Sequence, residues 1–137
     1  MRVFLDTNVL VSAVGTRGLC ADVLQTVLAE HELVVGEAVL AELRRVLQTK
    51  MRLSPDLAGE MDDFLRREAE VVSEGTAVDV ALRDPTDAPL LAEAVAGRID
   101  VLVTGDRDLL ELEGKLPFLV VNPRGFWERL RADDAQE

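Results

Sequence analysis

With 137 residues, 48% of them hydrophobic, the chain has the length of one domain and enough apolar material to bury a core, which excludes intrinsic disorder. A formal charge of −11 argues against gripping nucleic acid through a broad basic face, although carboxylates that hold divalent cations present positive charge locally. No apolar run approaches the roughly 20 residues of a membrane span, and Asp6 interrupts the one stretch that could act as a secretory leader.

Arg2 to Leu5 reads as a short buried strand running into Asp6. "GLCADVLQTVLAEH" follows with Leu19, Val23 and Val27, then Leu24 and Leu28, at helical spacing. Leu33 to Gly36 is a second short strand. In "EAVLAELRRVLQTK" the residues Val39, Leu40, Leu43, Val46 and Leu47 make one helical face. Ser54 with Pro55 behind it starts another helix, and "EVVS" is a candidate third strand. "DPTDAPLLAEAVAG" reads as a helix capped by Asp84 or Thr86 and ended by Gly97. "DVLVTG" and "FLVVNP" are the last strands, with "RGFWERLRA" a short terminal helix. This alternation is that of an α/β domain around a mainly parallel sheet, over residues 1–132, with an acidic tail at 133–137. There is no internal repeat and no linker.

In an open parallel sheet ligands bind beyond the carboxyl ends of the strands, where Asp6 and Asp106 both fall. Glu42 flanks the buried face of its helix, and Asp87 lies in the first turn of another. If the four converge, each raises the others' pKa, and a divalent cation removes that cost. Mg²⁺ or Mn²⁺ prefers hard oxygen ligands, keeps several waters and is commonly held by one or two carboxylates together with substrate phosphate. Thr104 and Asn8 add a hydroxyl and an amide beside such a site.

Each residue also has a plainer role. Asp6 ahead of Thr7-Asn8, and Asp106 ahead of "RDLLEL", have the form of helix caps. Glu42 has the form of a solvated rim residue, and Asp87 that of an acid favoured by the helix dipole. Asp84 and Asp108 read as structural or supporting. His31 reads as a surface or loop residue and Cys20 as core. Arg44 with Arg45, and Arg66 with Arg67, read as solvated faces with phosphate binding as the alternative. One cysteine and no zinc-type cluster make a reducing, cytoplasmic setting the expectation.

Taken together, "FLDTNVLVSA", "VLAELRRVL", "RDPTDAPLLAEAVAG" and "DVLVTGDRDLLEL" resemble the signature of PIN-domain ribonucleases, in matching order and spacing over nearly the whole chain. The ending "FLVVNPRGFWERL" is similar to that of PIN-family toxin components of toxin–antitoxin systems, relatives of the VapC toxins. The resemblance implies a three-layer α/β/α sandwich with a central mainly parallel sheet, and a Mg²⁺- or Mn²⁺-dependent endoribonuclease site. By position the family's four acids fall on Asp6, Glu42, Asp87 and Asp106. Asp108 matches a less constant acid, Thr104 the hydroxyl residue ahead of "GD", and Asn8 the polar residue after the first Asp. Asp6 and Asp106 would bind the principal ion, with Glu42 and Asp87 completing the site directly or through water. The resemblance further implies products with 5′-phosphate and 3′-hydroxyl ends, a homodimer, and a cognate antitoxin that blocks the acidic pocket.

The chain departs from relatives in placing Ala88 and Pro89, rather than a polar residue, after Asp87. Two alternatives stand beside the nuclease. One is a degenerate PIN domain kept as a binding or dimerisation module. The other is a phosphatase of the haloacid dehalogenase type, which needs an acid where the chain has Asn8 and a lysine, for which only Lys50 and Lys115 are available.

Overall fold

Short apolar runs, hydrophobic on both faces, cannot sit at a water-facing sheet and so favour a parallel sheet covered on both sides. The computed structural model, which describes residues 1–73 and 80–136, has that arrangement. Five strands, β1 (Arg2–Leu5), β2 (Glu32–Gly36), β3 (Glu70–Val72), β4 (Val101–Val103) and β5 (Leu119–Val121), form one sheet in the order β3-β2-β1-β4-β5. Every pairing is parallel, with Phe4 opposite Val34 on one side and Leu102 on the other.

The helices are α1 (Thr7–Gly15), α2 (Leu19–Glu30), α3 (Glu37–Thr49), α4 (Pro55–Glu68), α5 (Ala88–Ala96), α6 (Arg107–Leu110) and α7 (Pro123–Gln136). α2 packs on α1 and α7, while α3 packs on α4 and α5, giving the α/β/α layers. Val3, Phe4, Leu5, Leu102 and Val103 at the centre of the sheet are fully buried. Among the described residues no helix is long and apolar enough to cross a membrane.

Most elements form where their sequence places them. Ser54 caps α4, accepting from Leu57 N at 3.2 Å. α3 buries Val39, Leu40, Leu43 and Leu47 as its periodicity predicts. α1 is an element the hydrophobic periodicity does not announce, because its apolar residues continue the run of β1 without a break. Asp6 makes the break: its extended backbone ends the strand and its carboxylate accepts from Thr7 N. α5 ends at Gly97 as expected, but Gly97 itself stays in a right-handed conformation and Arg98 carries the positive φ of 51°. α7 is longer than the terminal helix read from sequence and takes in most of the acidic tail, whose last residue, Glu137, lies outside the described residues.

The chain builds outward from β1 through β2 to β3, then returns to the other side of β1 for β4 and β5. The direction of sheet growth therefore reverses between β1 and β4, and a crevice opens there at the carboxyl ends of the strands. Arg2 lies at the opposite end of β1. It pairs with Glu32 and Glu70 and donates to the Gly97 carbonyl.

Candidate active site

Asp6 follows β1 directly, Asp106 follows β4 after Thr104 and Gly105, and both line that crevice. Asp6 is 6% exposed and holds three hydrogen bonds. Its Oδ1 accepts from Thr7 N at 2.7 Å, and its Oδ2 accepts from Asn8 Nδ2 at 2.9 Å and from Thr104 Oγ1 at 2.7 Å. A carboxylate has about four acceptor positions, so one on Oδ1 is left for a cation or water. Thr104 is fully buried, and its hydroxyl also accepts from Asp106 N at 3.0 Å. One side chain thus ties the first acid to the backbone of the fourth. Asn8 does likewise, its Oδ1 accepting from Gly105 N at 3.1 Å.

Asp106 caps α6, its Oδ1 accepting from Asp108 N at 2.9 Å. Asp6 and Asp106 thus cap helices and line the cleft at once. Asp87 ends a single 3-10 turn, Pro85–Asp87, immediately before α5, so it precedes its α-helix rather than lying inside it. Its carboxylate makes no capping bond, because Asp84 does that work by accepting from Thr86 N and Oγ1. Pro89 occupies the first turn of α5, where no backbone N–H is needed, so the Ala88-Pro89 departure is accommodated.

Asp6, Glu42, Asp87 and Asp106 line one cleft of about 750 Å³ together with Asn8. Glu42 stands apart from the other three in its chemistry. It is exposed and held by Arg45 through bonds of 2.7 and 3.1 Å, which keep its carboxyl below the usual range. Thr104 and Asp108 lie outside the lining, Thr104 beneath it as a buried strut and Asp108 supplying a backbone N–H. Among the described residues no three metal-binding side chains form a ready-built cage.

Electrostatics nevertheless couples the acids. Burial raises the Asp6 carboxyl, and the charge of Asp106 adds to the rise, against the bonds from Thr104, Thr7 and Asn8. Asp87 is pushed up to about 6 by partial burial, then by the charges of Asp106, Asp84, Asp6 and Asp108. Its folded value lies above the ordinary 3.8, so the folded state binds more protons than the unfolded chain between the two. Stability from this group is present below about pH 4 and lost as pH rises through about 6. In metal-free protein, Asp87→Asn should therefore gain stability over wild type as pH is raised from about 5 to 7. Thermal melts across that range check it; a difference independent of pH would remove Asp87 from the charge cluster.

Thr104→Val should leave Asp106 N–H without a partner and take one donor from Asp6, at a cost of about 1–3 kcal/mol. Thr104→Ser should retain most of the stability. Equal losses in urea titrations of the two variants would mean that the methyl group, not the hydroxyl, matters.

Several other residues resolve. Arg45 is bound to Glu42, and Arg66 to Glu37 and Asp62, with both arginines exposed. Cys20 packs half-buried against the core, and His31 sits at the α2–β2 turn, in contact with the terminal amine. Two residues escaped the sequence reading. Glu93, 5% exposed, accepts from Ala38 N at 3.0 Å at the start of α3. Its signal was a lone charge within the otherwise apolar "LLAEAVA". Lys50 lines the cleft, but nothing in the sequence places it opposite the acids.

The sequence profile of the PIN domain matches residues 2–108. The chain belongs to the PIN-domain family. Among solved structures, this PIN domain is similar to VapBC2 from Rickettsia felis, bound there to a DNA fragment from its promoter, at 15% identity and a TM-score of 0.60, covering 89% of this chain and 98% of that one. VapBC-1 from nontypeable Haemophilus influenzae is similar at 15% identity and a TM-score of 0.63, covering 90% and 99%. A domain of a functionally unknown protein from Methanocaldococcus jannaschii is similar at 17% identity and a TM-score of 0.54, covering 88% and 89%. Among curated proteins no sequence matches. At these identities the structural likeness speaks for the fold, and the family rests on the profile match.

Proposed function

We propose that this PIN domain is a divalent-metal-dependent endoribonuclease and the toxin of a type II toxin–antitoxin pair, acting in the cytoplasm. The observation that carries the reading is that Asp6, Glu42, Asp87 and Asp106, far apart in sequence, line one cleft at the carboxyl edge of β1 and β4. The donor set fits Mg²⁺ or Mn²⁺: it consists of hard oxygens, and the raised Asp87 and Asp6 carboxyls mark a place where negative charge lacks a counter-ion. Asp6 and Asp106 would hold the ion, and Asp87 and Glu42 would complete the site directly or through water. When bound, the ion supplies charge neutralisation at the phosphate oxygens and lowers the pKa of water beside it. The chain's own part is orientation. Thr104 and Asn8 hold the Asp6 carboxylate in one rotamer and join it to the backbone that carries Asp106.

The toxin reading is supported by the likeness to two VapBC structures and by the C-terminal "FLVVNPRGFWERL". A homodimer and an antitoxin covering the acidic cleft belong to the same proposal. The test is cleavage of a mixed RNA pool with Mn²⁺ and again after a chelator is added. Cleavage should appear with the metal and stop with the chelator; cleavage that persists in excess chelator would defeat the metal-dependent reading.

The Glu42–Arg45 pair, which engages one of the four acids, favours a second reading, a PIN domain retained as a binding or dimerisation module. Tight metal binding without cleavage of any RNA would decide for it. The phosphatase alternative is not retained, because Asn8 serves as a clamp between Asp6 and Gly105.

A further inference from the structure

The four acids fill one part of the cleft, and the rest of its lining is of another kind. Val11 from α1 with Val39 and Val46 from α3 supply apolar lining, and along α3 Val46 stands one turn after Glu42 and Lys50 one turn after Val46. Lys50 is the one cationic residue of that lining. The chain has 26 acidic residues against 15 lysines and arginines, yet among the described residues Lys50 is in no ion pair. The carboxylate nearest to it in the cleft wall, Glu42, is already taken by Arg45, and Lys50 acts on it only through space.

The base of Lys50 is also well placed. It is the C-cap residue of α3, with its backbone N–H bonded to Val46 O at 2.9 Å, and the Met51 side chain that follows lies over Gly15 at the end of α1. The ammonium is thus carried on an exposed stem from an anchored turn. Eight residues separate it from Glu42, which is about 12 Å along a helix axis. An acid, an apolar residue and a cation in that order along α3 match the order in which a nucleic acid strand presents a phosphate, a ribose with its base, and a further phosphate.

Resting on the nuclease reading above, we propose that Lys50 is the substrate-binding residue of this cleft, holding a phosphate of single-stranded RNA that flanks the one presented to the acids. An ammonium is a point-charge phosphate binder that needs no particular geometry. Of the arginines in the neighbouring groove, Arg45 and Arg66 are paired with Glu42, Glu37 and Asp62, and Arg44 lies outside the lining of the acid cleft. The plainer role, a cation at the C-terminal end of the α3 dipole, predicts a change in stability and none in substrate affinity.

The experiment is steady-state cleavage of a single-stranded RNA oligonucleotide with Mn²⁺ by wild type, Lys50→Gln and Lys50→Arg, between about 50 and 200 mM salt. Lys50→Gln should raise KM about fivefold with kcat within twofold of wild type. The slope of log(kcat/KM) against log salt should shrink by about 0.7, the release expected for one phosphate on a single strand. Lys50→Arg should restore both. An unchanged KM and slope in Lys50→Gln, or a loss confined to kcat, would overturn the proposal while leaving the nuclease standing. If wild type cuts no RNA, anisotropy with the same oligonucleotide and the metal separates the two readings: binding whose salt slope falls in Lys50→Gln supports the lysine, and no binding, or an unaltered slope, overturns it.

Discussion

Asp6→Asn is expected to lower RNA cleavage by at least about a hundredfold, the scale seen when one preorganised electrostatic group is removed from an active site, and to abolish Mn²⁺ binding in calorimetry. Stability should stay within about 1 kcal/mol of wild type, because two effects oppose. An asparagine is as favourable as an aspartate at an N-cap position, and with its carbonyl oxygen in the Oδ2 place it still accepts from Asn8 Nδ2 and Thr104 Oγ1. One of the three donors to Asp6 loses its acceptor, at a net cost of about 1 kcal/mol, while removal of a buried carboxylate beside Asp106 relieves desolvation and repulsion. A variant that folds normally but neither binds metal nor cuts identifies Asp6 as a cation ligand. Wild-type cleavage rates in Asp6→Asn would exclude it from the chemistry, and a wild type that binds no metal would mean that the four acids do not act as one site.

A large change in stability should come from a residue that touches no substrate. Gly36→Ala is expected to cost about 1–3 kcal/mol, as overpacking of a tight site does. A Cβ at Gly36 would stand 2.9 Å from Glu93 Cβ and closer still to the Glu93 carboxylate. Glu93 cannot swing away without loss. It is buried, it accepts from Ala38 N and from Glu37 N, and α3 has no side-chain cap of its own because its N-cap residue is Gly36. A glycine is needed here for the close approach of α5, not for its backbone freedom, since its φ is −105°. Urea titration of Gly36→Ala, Glu93→Ala and the double variant measures the link. The two changes should be coupled by about 0.5–3 kcal/mol, the alanine costing less once Glu93 is gone; simple additivity would sink the explanation. The same contact joins α3, which carries Glu42, to α5, which Asp87 immediately precedes, and so holds two walls of the cleft together.

Much of the site was legible because its residues sit where local rules place them. A carboxylate at the end of an apolar strand marks Asp6 and Asp106 in the one-dimensional pattern, and the same position makes them caps and cleft residues in three dimensions. The capping reading and the site reading were never exclusive. Glu42 was also picked, by its place beside the buried face of α3, but Arg45 was read as a solvated or phosphate-binding residue and not as its partner. A pair three residues apart on a helix is possible at many positions, and only the surroundings decide which carboxylate a given arginine takes. Asp87 was located to the start of α5, while the 3-10 turn that leaves its carboxylate uncapped depends on Asp84 taking the cap first.

The amino-acid pattern by itself determined the alternation of strand and helix, the burial of the strands, the starts of α4 and α6, and the carboxylates Asp6 and Asp106 after their apolar runs. These follow from periodicity, capping chemistry and the end of each apolar run, all of which act over a few residues. Tertiary structure alone decided that β1 would lie between β2 and β4, and hence that Asp6 and Asp106 would face one crevice 100 positions apart in the chain. It alone placed Glu93 against Gly36, Thr104 between two acids, and Lys50 in one cleft with Asp6, Asp87 and Asp106. The reason is physical: burial, close approach and the summed field of several charges depend on residues that local sequence does not bring together, and they exist only once the sheet has closed around its core.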